Sequence, residues 1–347
     1  MDTKKLVAFL KNYHGRPLRL MEVCGTHTAA LYRSGLRSLL PEQVQLLSGP
    51  GCPVCVTPTA YIDKLVELSL KPGNCVLSFG DMLAVPGSRY SLLGARALGG
   101  HCDFFYQPED ILTRALGEPG TNFILAAVGF ETTAPVWAAL AQEILEQGLT
   151  NIKFLTALKT MPQAMNFLGA TAGIDGFLCP GHVAVITGSE AFRNLSQVYH
   201  KPMVVGGFTP ELLLAALSRL VWAASQNKAG VWNEYGAFVK PEGNIRALRL
   251  LQTVFMTGPA RWRGIMVLPG SGLYLQGKYA ALDAGSRDLN LDQVPAGCSC
   301  GQVLTGKIIP GECPLFGTRC TSAHPVGACM VSSEGSCRIV YEETENL

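Results

Sequence analysis

Between positions 298 and 337 the chain carries Cys298, Cys300, Cys313, Cys320, Cys329 and Cys337, six of its 12 cysteines, with His324 the one histidine among them. Thiolates are soft ligands, and such a density suits an iron–sulfur cluster or a zinc ion, either of which is completed by four. Two cysteines are then left over. A redox-active pair beside a cluster would use all six, because a cluster passes electrons singly whereas reduction of a disulfide takes two. Zinc alone leaves the surplus unexplained and stands as the structural alternative.

Three further strings could do chemistry. Met21-Glu22-Val23-Cys24-Gly25-Thr26-His27-Thr28 reads as a strand end, a loop and a helical pattern beginning near Ala29. Ligands of open α/β sheets bind beyond the carboxyl ends of strands, so Cys24 and His27 are expected to face a crevice, and a helix N-terminus favours the thiolate that binds metal. The competing reading is a cysteine packed as a small hydrophobe with His27 as a cap. Gly49-Pro50-Gly51-Cys52-Pro53-Val54-Cys55 puts a C-x-x-C before an amphipathic helix carrying Ile62, Leu65 and Val66. That arrangement lowers a thiol pKa and brings two sulfurs within disulfide reach; the alternative, half a zinc site, lacks a second C-x-x-C at finger spacing. Cys179-Pro180-Gly181-His182 repeats the Cys-x-x-His spacing at another strand end, although Cys179 can equally be a packed cysteine. Glu131, followed by Thr132 and Thr133, lies at an equivalent strand-to-helix loop and could lend a carboxylate to the same cleft or simply favour the helix N-terminus. Cys75 and Cys102 sit in or beside apolar runs and read as structural.

The elements that must position these residues are βα units. Short apolar runs, each followed by a Gly/Pro/Thr loop and a helical pattern, occur at 18–23, 44–47, 75–79, 122–129, 154–157, 176–178 and 203–205. The clearest unit continues from 122–129 into a helix over 134–147, with a Thr cap, Pro135 in the first turn and Gly148 past the end. The expected fold class is therefore α/β: two lobes with parallel sheets flanked by helices around a cleft, plus a small C-terminal iron–sulfur module. The turn-rich stretch 117–120 suggests a first lobe over 1–119 and a second over 120–263. Residues 264–347 would form a return strand over 264–274 and the cysteine module.

Composition narrows the function. The 347 residues are 48% hydrophobic and 16% charged, against roughly a quarter charged in an average domain, so much of the surface must be apolar or covered. The net charge of +2 is spread without long runs, which argues against nucleic acid or an anionic membrane. The first residues lack a secretory signal, and the longest apolar stretch, 212–224, is broken by Arg219. The expected location is the cytoplasm, where ordinary thiols stay reduced and the cysteines point to metal or redox chemistry. No G-x-x-x-x-G-K-[ST] loop is present and no Gly-x-Ser-x-Gly follows a strand, which argues against ATP hydrolysis and ester chemistry.

Cys24-Gly25-Thr26-His27-Thr28, Gly49 to Cys55, Gly129-Phe130-Glu131-Thr132-Thr133-Ala134-Pro135 and the cysteine tail through Gly327-Ala328-Cys329-Met330 together resemble the signature set of the HypD family of hydrogenase maturation factors, in order along nearly the whole chain. The resemblance implies a cytoplasmic scaffold with thiol–disulfide redox activity, rather than a conventional turnover enzyme. With a HypC-like small chaperone and a HypE-like cyanide donor it would assemble the Fe(CN)2CO group of nickel–iron hydrogenases. Cys24 would then bind the iron, sharing it with a chaperone cysteine, while Cys52 and Cys55 would form a thiol–disulfide pair. Similarity to the cluster site of ferredoxin:thioredoxin reductase implies Cys298, Cys313, Cys320 and Cys337 as ligands of a [4Fe-4S] cluster and Cys300 and Cys329 as the neighbouring redox pair, with Cys298 and Cys300 interchangeable. Strong-field cyanide and carbon monoxide favour low-valent iron, so thiolate-held iron beside an electron supply is chemically coherent. A thiol–disulfide reductase acting on a partner, and a zinc-stapled interaction module, are the rival readings.

Overall fold

The computed structural model describes residues 2–171 and 173–345. Its strands follow the apolar runs: β1 (Leu18–Glu22), β2 (Val44–Ser48), β3 (Asn74–Ser78), β4 (Cys102–Phe104), β5 (Asn122–Gly129), β6 (Ile152–Lys159), β7 (Gly176–Cys179), β8 (Pro202–Val205), β9 (Gly230–Asn233), β10 (Phe255–Arg261) and β11 (Val267–Leu275). They form two sheets. One has the order β2-β1-β7-β8-β9 and is parallel throughout. The other has the order β10-β11-β6-β5-β3-β4, in which β3 to β6 are parallel while β11 runs antiparallel to both β6 and β10.

Parallel strands are covered on both faces, and the alternation of side chains decides which core each residue joins. Met21, Phe177, Cys179, Met203 and Val205 of the first sheet share one apolar cluster with Val76, Ile124, Ala126, Val128, Leu155 and Ala157 of the second. The residues between them point outward, Leu20, Leu178 and Val204 under the helix Pro210–Ser225, and Phe123, Leu125 and Phe154 under the helix Ala134–Glu146. The expected helix signals act locally: Thr209 Oγ1 accepts from the Leu212 N–H at 3.4 Å and Pro210 occupies the first turn. Thr133 holds the corresponding position before Ala134 but makes no side-chain cap bond. Cys102 is buried with its thiol directed at the Leu92 carbonyl, and Cys75 is half-buried against the second sheet's outer core, as structural cysteines should be. No described helix is long and apolar enough to cross a membrane.

Sheet membership crosses the division expected near 117–120. β3 and β4 lie before it and join β5 and β6 after it, while the first sheet takes β1 and β2 from one side and β7 to β9 from the other. Periodicity marks where a strand is, not which strand it pairs with. The return strand adds to the second sheet, where β11 pairs with β6 through Gly272 and Leu273 and contains Pro269-Gly270-Ser271-Gly272 within its length. β10 contains Pro259, tolerated because this is an edge strand with an irregular register between Gly258 and Ala260.

The cysteine-bearing tail is seated on both sheets' connections. Arg19 donates to the Gly306 carbonyl, Ser332 to Asp81 at 3.0 Å, and the helix Ser336–Glu345 packs on the helix Gly25–Arg33. At the closest approach a Cβ added to Gly301 would lie 1.9 Å from the Gly264 carbonyl oxygen. Gly301→Ala should therefore lift the tail from its seat at a cost on the order of 1–3 kcal/mol. A thermal unfolding midpoint equal to that of the parent protein would show that this seat is not used.

Candidate functional site

The carboxyl ends of β1, β5 and β7 converge on a cleft of about 150 Å³, lined among others by Cys24, Thr26, Pro53, Thr132, His182 and Glu334. The helix after β1 begins at Gly25, four residues earlier than its apolar pattern suggests, so Cys24 is its N-cap residue. The Cys24 N–H donates to Glu22 Oε2 at 3.0 Å, and the other oxygen of this buried carboxyl accepts from the Thr28 hydroxyl. Gly51 makes the crossing possible: a Cβ there would lie 2.3 Å from the Cys24 nitrogen and 2.5 Å from its Cα. Gly25 plays the same part toward the tail, since its Cβ would meet the Glu334 carbonyl oxygen at 2.4 Å.

Burial dominates the electrostatics of Cys24. It pushes the thiol up to about 12; the N–H groups of His27 and Thr26 pull the other way, and Glu22 and Glu334 add to the rise. The helix N-terminus alone was expected to favour the thiolate, and desolvation outweighs it. In the metal-free chain Cys24 is a protonated thiol.

Of the cysteine and histidine in each Cys-x-x-His string, one lines the cleft: Cys24 in the first and His182 in the second. His27 turns inward, is fully buried and sets Nε2 3.2 Å from the Gly206 carbonyl, with Nδ1 left without a partner; burial lowers its pKa to about 4, so it is neutral. His182, exposed, lines the cleft instead. Both rings pack on Phe208, with centroids 4.7 Å away for His27 and 3.8 Å for His182. Cys179 is fully buried in the core between the sheets and its thiol pKa is raised by that burial, which fits the packed-cysteine reading. Glu131 is also withdrawn: Oε1 accepts from the Met161 N–H at 2.9 Å, at the start of the helix Met161–Gly169, while buried Oε2 has no partner. Its neighbours Thr132 and Thr133 line the cleft in its place.

Cys52 and Cys55 are joined by a disulfide, with Cα atoms 5.3 Å apart. Pro53, between them, lines the Cys24 cleft, and the Cys55 sulfur lies 4.0 Å from the Ala328 carbonyl oxygen, one residue before Cys329. The bridge thus sits between the cleft and the tail.

In the tail Cys298 Sγ lies 3.1 Å from Cys300 Sγ, and a Cβ on Gly327 would fall 2.6 Å and 2.7 Å from these two sulfurs. Cys329 and Cys337 each contact the Cys300 sulfur and one another, and Cys320 is within electrostatic reach of Cys298 and Cys300. Those thiol contacts lower the Cys337 pKa and raise that of Cys329, so protons are shared among these sulfurs. Cys313 is half-buried and packs against the same apolar cluster. The expected pair Cys300 and Cys329 is in contact, and Cys300 also touches Cys298 and Cys337. Among the described residues no three His, Cys, Asp or Glu side chains surround one point as a single metal ion would require. A buried group of soft donors without carboxylate or imidazole fits a sulfur-ligated cluster.

Glu22, Gly51 and Glu334 escaped the sequence reading as site residues. Glu22 stands two residues before Cys24 in the same string and Gly51 directly precedes Cys52, so local signals existed for both; nothing near Glu334 points to the cleft.

Residues 2–344 match the family model described as HypD, hydrogenase formation hypA family. Hydrogenase maturation factor HypD of Escherichia coli K12 is 39% identical over 333 residues, covering 94% of this chain and 89% of that protein. The corresponding factor of Azotobacter vinelandii is 39% identical over 338 residues, with the same coverages. A putative hydrogenase expression/formation protein of Methanocaldococcus jannaschii is 38% identical over 329 residues, covering 94% of this chain and 92% of that protein.

Burial raises the Glu131 carboxyl from its ordinary 4.5 to about 7. A raised carboxyl stabilises the fold fully below its unfolded pKa, and that contribution is lost as pH rises through the folded value, on the order of 3 kcal/mol in all. In Glu131→Gln the amide oxygen can still accept from Met161 without ionising. Urea unfolding at pH 5 and pH 8 should show the variant gaining on the parent by up to that amount at the higher pH; a constant difference would contradict the assignment.

Proposed function

Because the chain belongs to the HypD family of hydrogenase formation proteins, we propose that it works in the cytoplasm as the scaffold on which the Fe(CN)2CO group of nickel–iron hydrogenases is assembled. It would act with a HypC-like small chaperone and a HypE-like cyanide donor. The observation that carries this reading is one line of sulfur: Cys24 in the cleft, the Cys52–Cys55 disulfide whose Pro53 lines that cleft, and Cys329 of the tail, one residue beyond the Ala328 carbonyl that meets Cys55.

Iron is the cargo, and Cys24 would take it as a thiolate, surrendering its proton to the metal's advantage as coordinating thiols do. The burial that keeps the free thiol protonated also keeps it inert toward stray electrophiles until metal arrives. Glu22 fixes the Cys24 backbone through its N–H, and neutral His182 offers the cleft a ring nitrogen that can take up a proton. A [4Fe-4S] cluster, when bound, supplies electrons one at a time; Cys298, Cys313, Cys320 and Cys337 would hold it, with Cys300 and Cys329 as the adjoining pair. Reduction of Cys52–Cys55 takes up two electrons and two protons and leaves two thiols. With Cys52 and Cys55 only 3% and 1% exposed, neither sulfur is open to a protein disulfide, which favours an internal relay over a reductase for partner proteins.

Infrared spectra of the chain co-purified anaerobically with the small chaperone should carry cyanide and carbonyl stretches that vanish in Cys24→Ala. Bands surviving that change would move the iron elsewhere. The double variant Cys52→Ser, Cys55→Ser should retain iron and inorganic sulfide in the tail yet support less than about a hundredth of parental hydrogenase maturation, a loss of the size usual for removing an essential catalytic group. Undiminished hydrogenase activity would remove the disulfide from the pathway.

A further inference from the structure

Arg263 is buried, 3% exposed, on the segment that joins β10 to β11. Its N–H donates to the Val56 carbonyl at 2.9 Å, one residue past the disulfide, and its Nη1 donates to the Pro86 carbonyl at 3.0 Å. Nη2 is buried without a partner. A guanidinium keeps its charge at any pH the protein meets, and a buried charge is costly unless an opposite charge answers it. The carboxylate that meets this segment is already committed: Asp292, beyond β11, accepts from the N–H groups of Gly264 and Thr59 and faces Arg261 at 3.9 Å. Among the described residues no carboxylate forms an ion pair with Arg263.

The backbone beside Arg263 abuts the cysteine tail. The Cys300 contact and burial raise the Cys298 thiol's pKa, and the Arg263 charge acts on that thiol in the opposite direction. The backbone enforces this proximity, because Gly264 and Gly301 touch so closely that neither tolerates a Cβ: the added atom would lie 2.9 Å from Gly301 Cα in one direction and 1.9 Å from the Gly264 oxygen in the other. The orphan donor and the cysteine group are thus held together by the tightest contact between the tail and the rest of the fold.

Resting on the cluster reading above, we propose that Arg263 is the fixed counter-charge of the sulfur-ligated group in the tail, its free Nη2–H donating to a cysteine sulfur or inorganic sulfide there. Reduction potentials of such groups are set by net charge and by hydrogen bonds to sulfur, and both effects stabilise the reduced, more negative form. Arg263 is a positioning and charge-tuning residue, since it would act on the sulfur ligands and not on the cargo.

The test is an anaerobic dithionite titration of the reconstituted full chain, followed by visible absorption and by the electron paramagnetic resonance of the one-electron-reduced form. Arg263→Gln should keep parental iron and sulfide content while its reduced-to-oxidised ratio at a fixed potential falls at least tenfold, a midpoint about 59 mV more negative for one electron. Arg263→Lys, which keeps the charge, should recover most of that shift. A Gln variant with an unchanged midpoint, even one that melts at lower temperature, would reduce Arg263 to a strut and overturn the proposal. Should the Gln variant fail to fold, the parent chain decides, grown with guanidino-¹⁵N arginine. A ¹⁵N coupling to the reduced group, absent from Arg263→Lys, is expected, and its absence from the parent overturns the proposal. A parent chain that takes up no iron or sulfide would fail differently, sinking the cluster reading and this inference with it.

Discussion

An ionised sulfur taken out of water needs a proton, a metal or a cation beside it, and each sulfur-bearing segment of this chain meets that demand differently. Cys24 keeps its proton, held there by burial and by the nearby carboxyls Glu22 and Glu334. Cys52 and Cys55 escape the problem by bonding to one another. The tail cysteines share protons among neighbouring sulfurs, with Arg263 as the nearest fixed positive charge. Bringing all three solutions together demands a core into which both sheets project, and the shared apolar cluster between the sheets contains Cys52, Cys55, Cys300, Cys329 and Cys337 as packed members.

Glycine is the means by which backbone reaches backbone around these sulfurs. Gly51 passes Cys24, Gly25 receives the tail at Glu334, and Gly301 rests on Gly264. Each contact joins segments distant in sequence, and any side chain at these places would separate a sulfur from its neighbours. The Gly-Pro-Gly that precedes Cys52 is therefore a spacing device as much as a turn.

The βα units were legible because strand and helix signals are local: the apolar run 122–129 and the punctuated helix after it appear as β5 and Ala134–Glu146. Pairing was not legible. Nothing within β3 or β4 announces that they join β5, and β10 is an irregular edge strand that holds Gly258 and Pro259 within its length, which breaks the local strand signal. At the site, Cys24 was found by its place at a strand end, but His27 was misjudged. Residues at a helix N-cap and three places on can point to different sides, and here the aromatic shelf of Phe208 and the Gly206 carbonyl draw the ring inward. The cleft histidine comes from the second string, a partnership that only the side-by-side pairing of β1 and β7 creates.

That pairing governs how the chain can come off the ribosome. Leu20 of β1 sits beside Gly176 of β7, so the flank of β1 opposite β2 stays bare until the second sheet's four parallel strands have been synthesised and passed over. Long-range parallel pairing of this kind is slow and leaves unpaired edges exposed meanwhile. A nascent or truncated chain therefore has its first cysteine motif without the walls that bury it, and an open thiol there is free to scavenge whatever metal the cell has loose. The interleaved order of strands thus ties the protection of Cys24 to near-completion of translation.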